Sequence, residues 1–345
     1  MTLRSSHTLS GARLVPVLFL LACLVSPAAA ITVTDDAGTV VSFKATPERI
    51  VSLAPSNTEI LAALGLLDRL AGVTDVCDYP PEVKNIPRIG GYSSISTEKV
   101  AAARPDLVVA SDITPQETVN RLRELGLSVV VVSPHTIADM IRDIGMIGTL
   151  TGAEDRAEDL AGNLSARLAA IAAEGTGSRR PAIAHVVWND PLYVSGSDTL
   201  QDDVIGRAGG INAFAGKAGW GTVTLEEFLM KNPDIIVVSG GGGMDNGSRD
   251  VILEDFMENP HYASLSAVKN HRVYAVDADV ISRAGPRIVD AAEQVAAIVR
   301  SWREDEAAAD APARPAATAR APGYSCAGAV AGLAACGVFA RKCRP

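Results

Sequence analysis

The sequence predicts an α/β fold of two similar lobes, joined by a helical bridge and separated by a cleft. Three observations carry this. Short runs rich in β-branched residues alternate with helical stretches that stop at glycine. A long helical stretch, 137–176, lies near the middle of the chain and contains no strand signal. Two sixteen-residue segments, one on each side of that stretch, repeat one another.

The strand-like runs are Arg49–Leu53, Leu107–Ala110, Val129–Val132, Ala182–Val187, Ile235–Val238 and Val273–Val276. They are apolar with little alternation, as expected of strands covered on both faces of a parallel sheet. Asn57–Leu64 and Glu117–Leu125 read as helices ended by Gly65 and Gly126. The expected organisation is an N-terminal lobe over 31–136, a single long linking helix over 137–176 and a C-terminal lobe over 177–303.

Both ends of the chain read as segments outside this fold. Arg4 and Arg13 precede an apolar run, Leu14–Val25, followed by Ala28, Ala29 and Ala30. This pattern is that of a signal peptide over 1–30, cleaved after Ala30, with a lipobox-like Leu20-Leu21-Ala22-Cys23 as the rival reading. Glu304–Pro322 carries Pro, Ala and charge but no large apolar residue, so 304–322 is expected to be a linker. Residues 323–345 form an anchoring or sorting tail. In it the apolar run Cys326–Ala340 precedes the basic Arg341-Lys342-Cys343-Arg344. A helix of that run would span about 22 Å, short of the ~30 Å hydrocarbon core. With Pro322-Gly323-Tyr324 ahead of it, the tail resembles an archaeal PGF-CTERM sorting signal, although Tyr324 stands where Phe is usual. The resemblance implies removal of the tail and attachment of a lipid; a marginal membrane helix is the alternative. The chain is therefore expected to be exported and tethered to the membrane.

The 345 residues carry a net charge of −9, which disfavours nucleic acid as a partner. Of five cysteines, Cys77 alone falls in the expected globular part, and no C-x-x-C pattern or i,i+4 histidine pair occurs. Gly240–Gly243 follows a strand but lacks the G-K-[ST] ending of a phosphate loop, and there is no G-x-S-x-G elbow. Neither an enzyme nor a resident metal or cofactor is expected.

The repeated segments are 96–111 and 224–239. Each has a capping hydroxyl (Ser96, Thr224), a first-turn carboxylate (Glu98, Glu226) and Pro-Asp before a strand (Pro105-Asp106, Pro233-Asp234). The hydroxyls suit early helix N–H groups, and the carboxylates suit the positive helix end. A second echo pairs Ile50-Val51-Ser52 through Gly65 with Tyr193-Val194-Ser195 through Gly209-Gly210. Tyr92 lies six residues before Glu98, and Trp220 six before Glu226. Large aromatics at equivalent points of two lobes suit a broad, flat ligand.

From about Ile31 to Trp302 the chain resembles class III periplasmic binding proteins, which serve importers of cobalamin, ferric siderophores and haem. The carrying residues are Ile50–Leu61 with its Asn57-Thr58-Glu59, then Cys77-Asp78-Tyr79-Pro80-Pro81, the two repeats, and Ser282-Arg283-Ala284-Gly285-Pro286-Arg287. Vitamin B12-binding members look most similar. The resemblance implies an extracytoplasmic protein that captures a corrinoid and hands it to an ABC permease dimer with its ATPase. Tyr92 and Trp220 would flank the corrin ring, Asp279 and Arg283 would touch its amides, and Leu192 and Tyr193 would lie nearby. Glu98 and Glu226 would dock on the permease. Val76 and Ser111 depart from the B12-binding pattern, which has aromatics there, and Arg283 with Arg287 could serve an anionic chelate. Ferric siderophore and haem are thus the alternative ligands.

Overall fold

The computed structural model of the chain describes residues 30–174, 179–241 and 250–310. Residues 1–29 of the expected signal segment (1–30), the sorting tail (323–345) and the linker after residue 310 lie outside the described residues.

A hairpin of β1 (Ile31–Thr34) and β2 (Val40–Phe43) opens the N-terminal lobe. There follow β3 (Ile50–Ser52), α1 (Pro55–Ala63), β4 (Leu70–Val73), α2 (Thr97–Ala102), β5 (Leu107–Ala110), α3 (Gln116–Glu124) and β6 (Val129–Val131). The four strands β3–β6 form a parallel sheet in the order β4-β3-β5-β6. Every residue of β3, β5 and β6 is buried, which is why these strands read as uninterrupted apolar runs. Helix α2 starts where the Ser96 hydroxyl accepts the Lys99 N–H at 3.2 Å and ends just before Pro105.

The bridge differs from the single helix expected. It consists of α4 (Ile137–Thr151) and α5 (Glu154–Glu174). Gly152 adopts a left-handed conformation (φ 64°) and returns its N–H to the Gly148 carbonyl, the usual glycine helix stop. At the other end of α4, Thr136 and Asp139 form a reciprocal capping box.

The C-terminal lobe contains β7 (Ala182–Asn189), β8 (Leu192–Ser195), α6 (Leu200–Arg207), β9 (Ile211–Asn212), β10 (Trp220–Thr222), α7 (Leu225–Lys231), β11 (Ile235–Gly240), α8 (Val251–Glu258), α9 (Ser266–Lys269), β12 (Val273–Asp277), α10 (Ala278–Ser282) and α11 (Ile288–Asp310). Its sheet runs β10-β8-β7-β11-β12, with β9 also on β7. β7, β11 and β12 are parallel, whereas β8 and β10 are antiparallel additions. α7 repeats α2: the Thr224 hydroxyl accepts the Glu227 N–H at 3.1 Å. α11 continues to Asp310, into the segment expected to be linker. Its last turns are held by Glu306, which pairs with Arg272 at 2.9 Å, and by Asp310, which pairs with Arg179 at 3.1 Å. An apolar face was therefore not needed to keep this alanine-rich stretch helical.

One apolar core runs through both lobes by way of the bridge, from Leu61 and Val109 through Ile144 and Leu164 to Ile183 and Val295. Separate clusters fill the other faces of the two sheets. α5 also packs along α11, where Arg167 donates to Asp290 and Glu293 at 2.5–2.8 Å. A bridge embedded in this way resists large lobe rotation, since any rotation shears close-packed side chains.

Candidate functional site

A cleft of about 520 Å³ opens between the lobes. On the N-terminal lobe it is built at the carboxyl ends of the parallel strands, where open α/β sheets place their crevices. Pro55 and Ser56 follow β3, Ser111 to Ile113 follow β5, and Val132, Pro134 and His135 follow β6. From the opposite lobe come Asp198 to Gln201 after β8, Gly219 and Trp220 at the start of β10, and Asp279, Ser282, Arg283 and Ala284 from α10 and its exit.

Tyr92 and Trp220, one from each lobe, both line this cleft. Trp220 is braced from behind. Its ring stacks on Tyr193 (centroids 6.0 Å apart, 6° between planes) and meets the edge of His185 at 5.9 Å. The backbone turn that presents it needs glycine twice: Gly219 has φ 68°, and a Cβ on Gly196 would lie 2.1 Å from the Lys217 carbonyl oxygen. His185 is fully buried between the Ser195 and Ser239 hydroxyls, each 3.2 Å away.

Burial holds the His185 imidazole neutral, its pKa pushed down to about 4. Because the unfolded histidine titrates higher, the unfolded chain binds the extra proton between pH 6.5 and 4. This contribution to stability is complete above pH 6.5 and is lost as the pH falls toward 4. Asp143, on α4, works in the opposite sense. Burial, then the nearby Asp36 charge, raises it to about 7, and Arg142 only partly offsets them. Comparison of variants separates the two: His185→Gln should gain on the unaltered protein by about 3 kcal/mol between pH 7 and pH 4. Urea denaturation at the two pH values measures this, and an unchanged gap would mean that the imidazole is not buried neutral.

The cleft is bordered by an ion cluster that joins the lobes. The Glu59 carboxylate, on α1, accepts from Arg287 at 2.5 and 3.0 Å and from Arg283 at 3.3 Å. Arg283 also donates to Asp78 at 2.6 Å and pairs with Asp279 at 2.8 Å. Arg287 lies over the Tyr79 ring, 4.0 Å from its centroid. Gly285 makes room for Glu59; a Cβ there would sit 2.9 Å from its Oε2. Burial disfavours the Arg283 charge, but the hydrogen bond it donates to Asp78 and the charges of Asp279, Asp78 and Glu59 outweigh it and raise its pKa. Asp279 is raised chiefly by burial, with Arg283 pulling the other way.

Four of the residues expected at the ligand therefore border one cavity: Tyr92, Trp220, Asp279 and Arg283. Tyr193 stands one layer back. Leu192 does not reach the cleft; it is buried in the outer core with Val194 and Phe214, because alternation along β8 turns it to the other face of the sheet. Glu98 and Glu226 are exposed at the starts of α2 and α7 and do not line the cleft. Glu98 is held below the usual carboxylate range first by its own backbone N–H, then by the Ser96 hydroxyl, and Glu226 likewise by its backbone and Thr224. Cys77 is a buried thiol beside Thr58 and Thr74. The described residues contain no cluster of metal-ligating side chains. The residues that sequence reasoning missed are Ser56, Asp112, Ile113, His135, Asp198, Thr199 and Gln201. The echo between Ile50–Gly65 and Tyr193–Gly210 pointed to two of these loops, since it aligns the start of α1 with that of α6.

The sequence model of the family described as "Periplasmic binding protein" matches residues 50–280. The chain belongs to this family. A Bacillus subtilis protein described as an uncharacterized ABC transporter substrate-binding lipoprotein is 32% identical, over 77% of this chain and 84% of its own length. The periplasmic vitamin B12-binding protein BtuF of Vibrio cholerae superposes with a TM-score of 0.67 at 28% identity, covering 75% of this chain and 98% of that one. The apo periplasmic haem-binding protein RhuT of Roseiflexus gives 0.66 at 28%, covering 74% and 98%. The two-lobed α/β architecture is shared with these two solved structures.

Proposed function

We propose that this protein captures a corrinoid in the interlobe cleft and delivers it to an ABC permease. The observation that carries the ligand choice is the pairing of cleft shape with cleft charge. Tyr92 and Trp220 line the cleft from the two lobes, while the lining residues include three carboxylates (Asp112, Asp198, Asp279) and one guanidinium, Arg283, already shared among carboxylates. A flat macrocycle rimmed by neutral amides suits such a cleft. A haem with two propionates, or a trianionic ferric chelate, meets like charge there. The Ser111 hydroxyl, buried at the cleft wall without a partner among the described residues, supplies a hydrogen bond for an amide. Competition binding among cyanocobalamin, haemin and a ferric hydroxamate tests this reading. Cyanocobalamin should bind at 1:1 and at least about ten-fold more tightly than haemin; the reverse order would favour the haem reading.

Delivery rests on Glu98 and Glu226, exposed at matched points of the two lobes and separate from the cleft. A partner that is itself a dimer fits that twofold echo. Replacing both with Ala should leave ligand affinity unchanged and reduce transport in reconstituted vesicles by about ten-fold or more, with Lys substitutions worse. Normal transport by the double variant would reduce the two carboxylates to helix-end residues.

The tail over 323–345 is read as an anchoring or sorting device. Among the described residues no helix is long and apolar enough to cross a membrane. The intact mass of protein isolated from membranes should lack the chain beyond about Tyr324; a mass that includes Arg344 would show the tail retained.

A further inference from the structure

Among the described residues that line the cleft, Arg283 is the one permanently cationic side chain, and its Nη1 donates to Asp78 at 2.6 Å. Asp78 belongs to the opposite lobe, on the loop between β4 and α2. Its side chain is about half exposed (54%), whereas Arg283 is mostly enclosed (13%). Glu59 accepts from the same Nη1, and Asp279 pairs with Nη2. Arg287, the other cation nearby, is committed to Glu59 and to the Tyr79 face. Three carboxylates thus surround two guanidinium groups, and the third, Asp78, is the exposed one. Glu59 is buried and takes hydrogen bonds from both arginines, and Asp279 lies on the same helical turn as Arg283. Neither needs Asp78 to complete the cluster.

We propose that Asp78 is a specificity-determining residue: a built-in carboxylate that occupies Arg283 and so excludes anionic chelates from the cleft. The inference rests on the reading of the cleft as a site for a neutral macrocycle. A carboxylate- or phenolate-bearing chelate would have to displace Asp78 from Arg283 and then lie beside its charge. A ligand with neutral amides faces no such competition, because an amide oxygen can share the guanidinium without like-charge contact. The arrangement acts by repulsion more than by attraction, as specific sites often do.

The test is the ratio of two affinities in the intact mature protein: haemin or a ferric tricatecholate against cyanocobalamin. Asp78→Asn keeps the shape of the side chain and removes its charge. The ratio should move toward the anionic chelates by about ten-fold, the size expected for one partly screened charge within several ångströms. Asp78→Ala should move it the same way, and Asp78→Glu, which keeps the charge, should hold the ratio of the unaltered protein. Reading a ratio removes any general loss of binding from the comparison, and the Ala variant serves if the Asn variant folds poorly. Cyanocobalamin binding with an unchanged ratio in both neutral variants would overturn the role of Asp78 alone. No cyanocobalamin binding by the unaltered protein would remove the neutral-macrocycle reading, and this inference with it.

Discussion

Glu59→Ala should lower the stability of the folded protein by about 3 kcal/mol or more, the scale for removing one member of a buried ion pair. Its side chain is 2% exposed and takes hydrogen bonds from two guanidinium groups on the other lobe. The substitution leaves those groups in place. Arg283 keeps Asp78 and Asp279, so most of the loss falls on Arg287, whose remaining neighbour in the cluster is the Tyr79 ring. Glu59→Gln preserves the shape and several hydrogen-bond directions, and should cost less. Because the cluster ties α1 to the segment after α10, the Ala variant should also raise hydrogen exchange at the cleft side of both lobes. Urea denaturation gives the first quantity. A loss below about 1 kcal/mol would mean that the pairing is worth no more than a surface bridge.

Trp220→Ala should weaken corrinoid binding by roughly 2–3 kcal/mol, about 30- to 150-fold, on the scale of an aromatic hot spot. Trp220 contributes a large face to the cleft and is fixed in place by Tyr193 and His185, so little ordering is required on binding. Trp220→Phe should recover most of the affinity, and Tyr193→Ala should lose part of it by releasing the brace. Titration calorimetry separates these variants. Equal affinities for Trp220→Ala and the unaltered protein would place the ligand elsewhere.

The parallel sheets were legible in the sequence because their strands are covered on both faces, and a short, unbroken β-branched run bounded by turn residues suits few positions except a buried strand. The twofold plan was legible because α2 and α7 reuse the same cap, carboxylate and Pro-Asp exit. The break in the bridge was not. Gly152 resembles the other glycines of that stretch, and Gly145 and Gly148 lie inside α4 without stopping it. The helical end of α11 was missed too. Glu306 and Asp310 find their arginines only after the lobe has folded. At the site, the aromatics were visible from their position relative to the repeats, but the state of Arg283 was not. Its neutralisation joins residues more than 200 positions apart in sequence, and that long-range pairing turns an apparent anion-binding arginine into a satisfied one. Leu192 shows the converse error: adjacency to Tyr193 in sequence puts it on the opposite face of β8.

Capture of a corrinoid is tested by identifying the molecule that the protein carries when purified from its own host under native conditions. One corrinoid per protein is expected, seen as its visible absorption bands and released on denaturation as a molecule of corrinoid mass. A haem Soret band or a ferric siderophore in its place would contradict corrinoid capture. So would folded protein that carries no chromophore and fails to take up added cyanocobalamin.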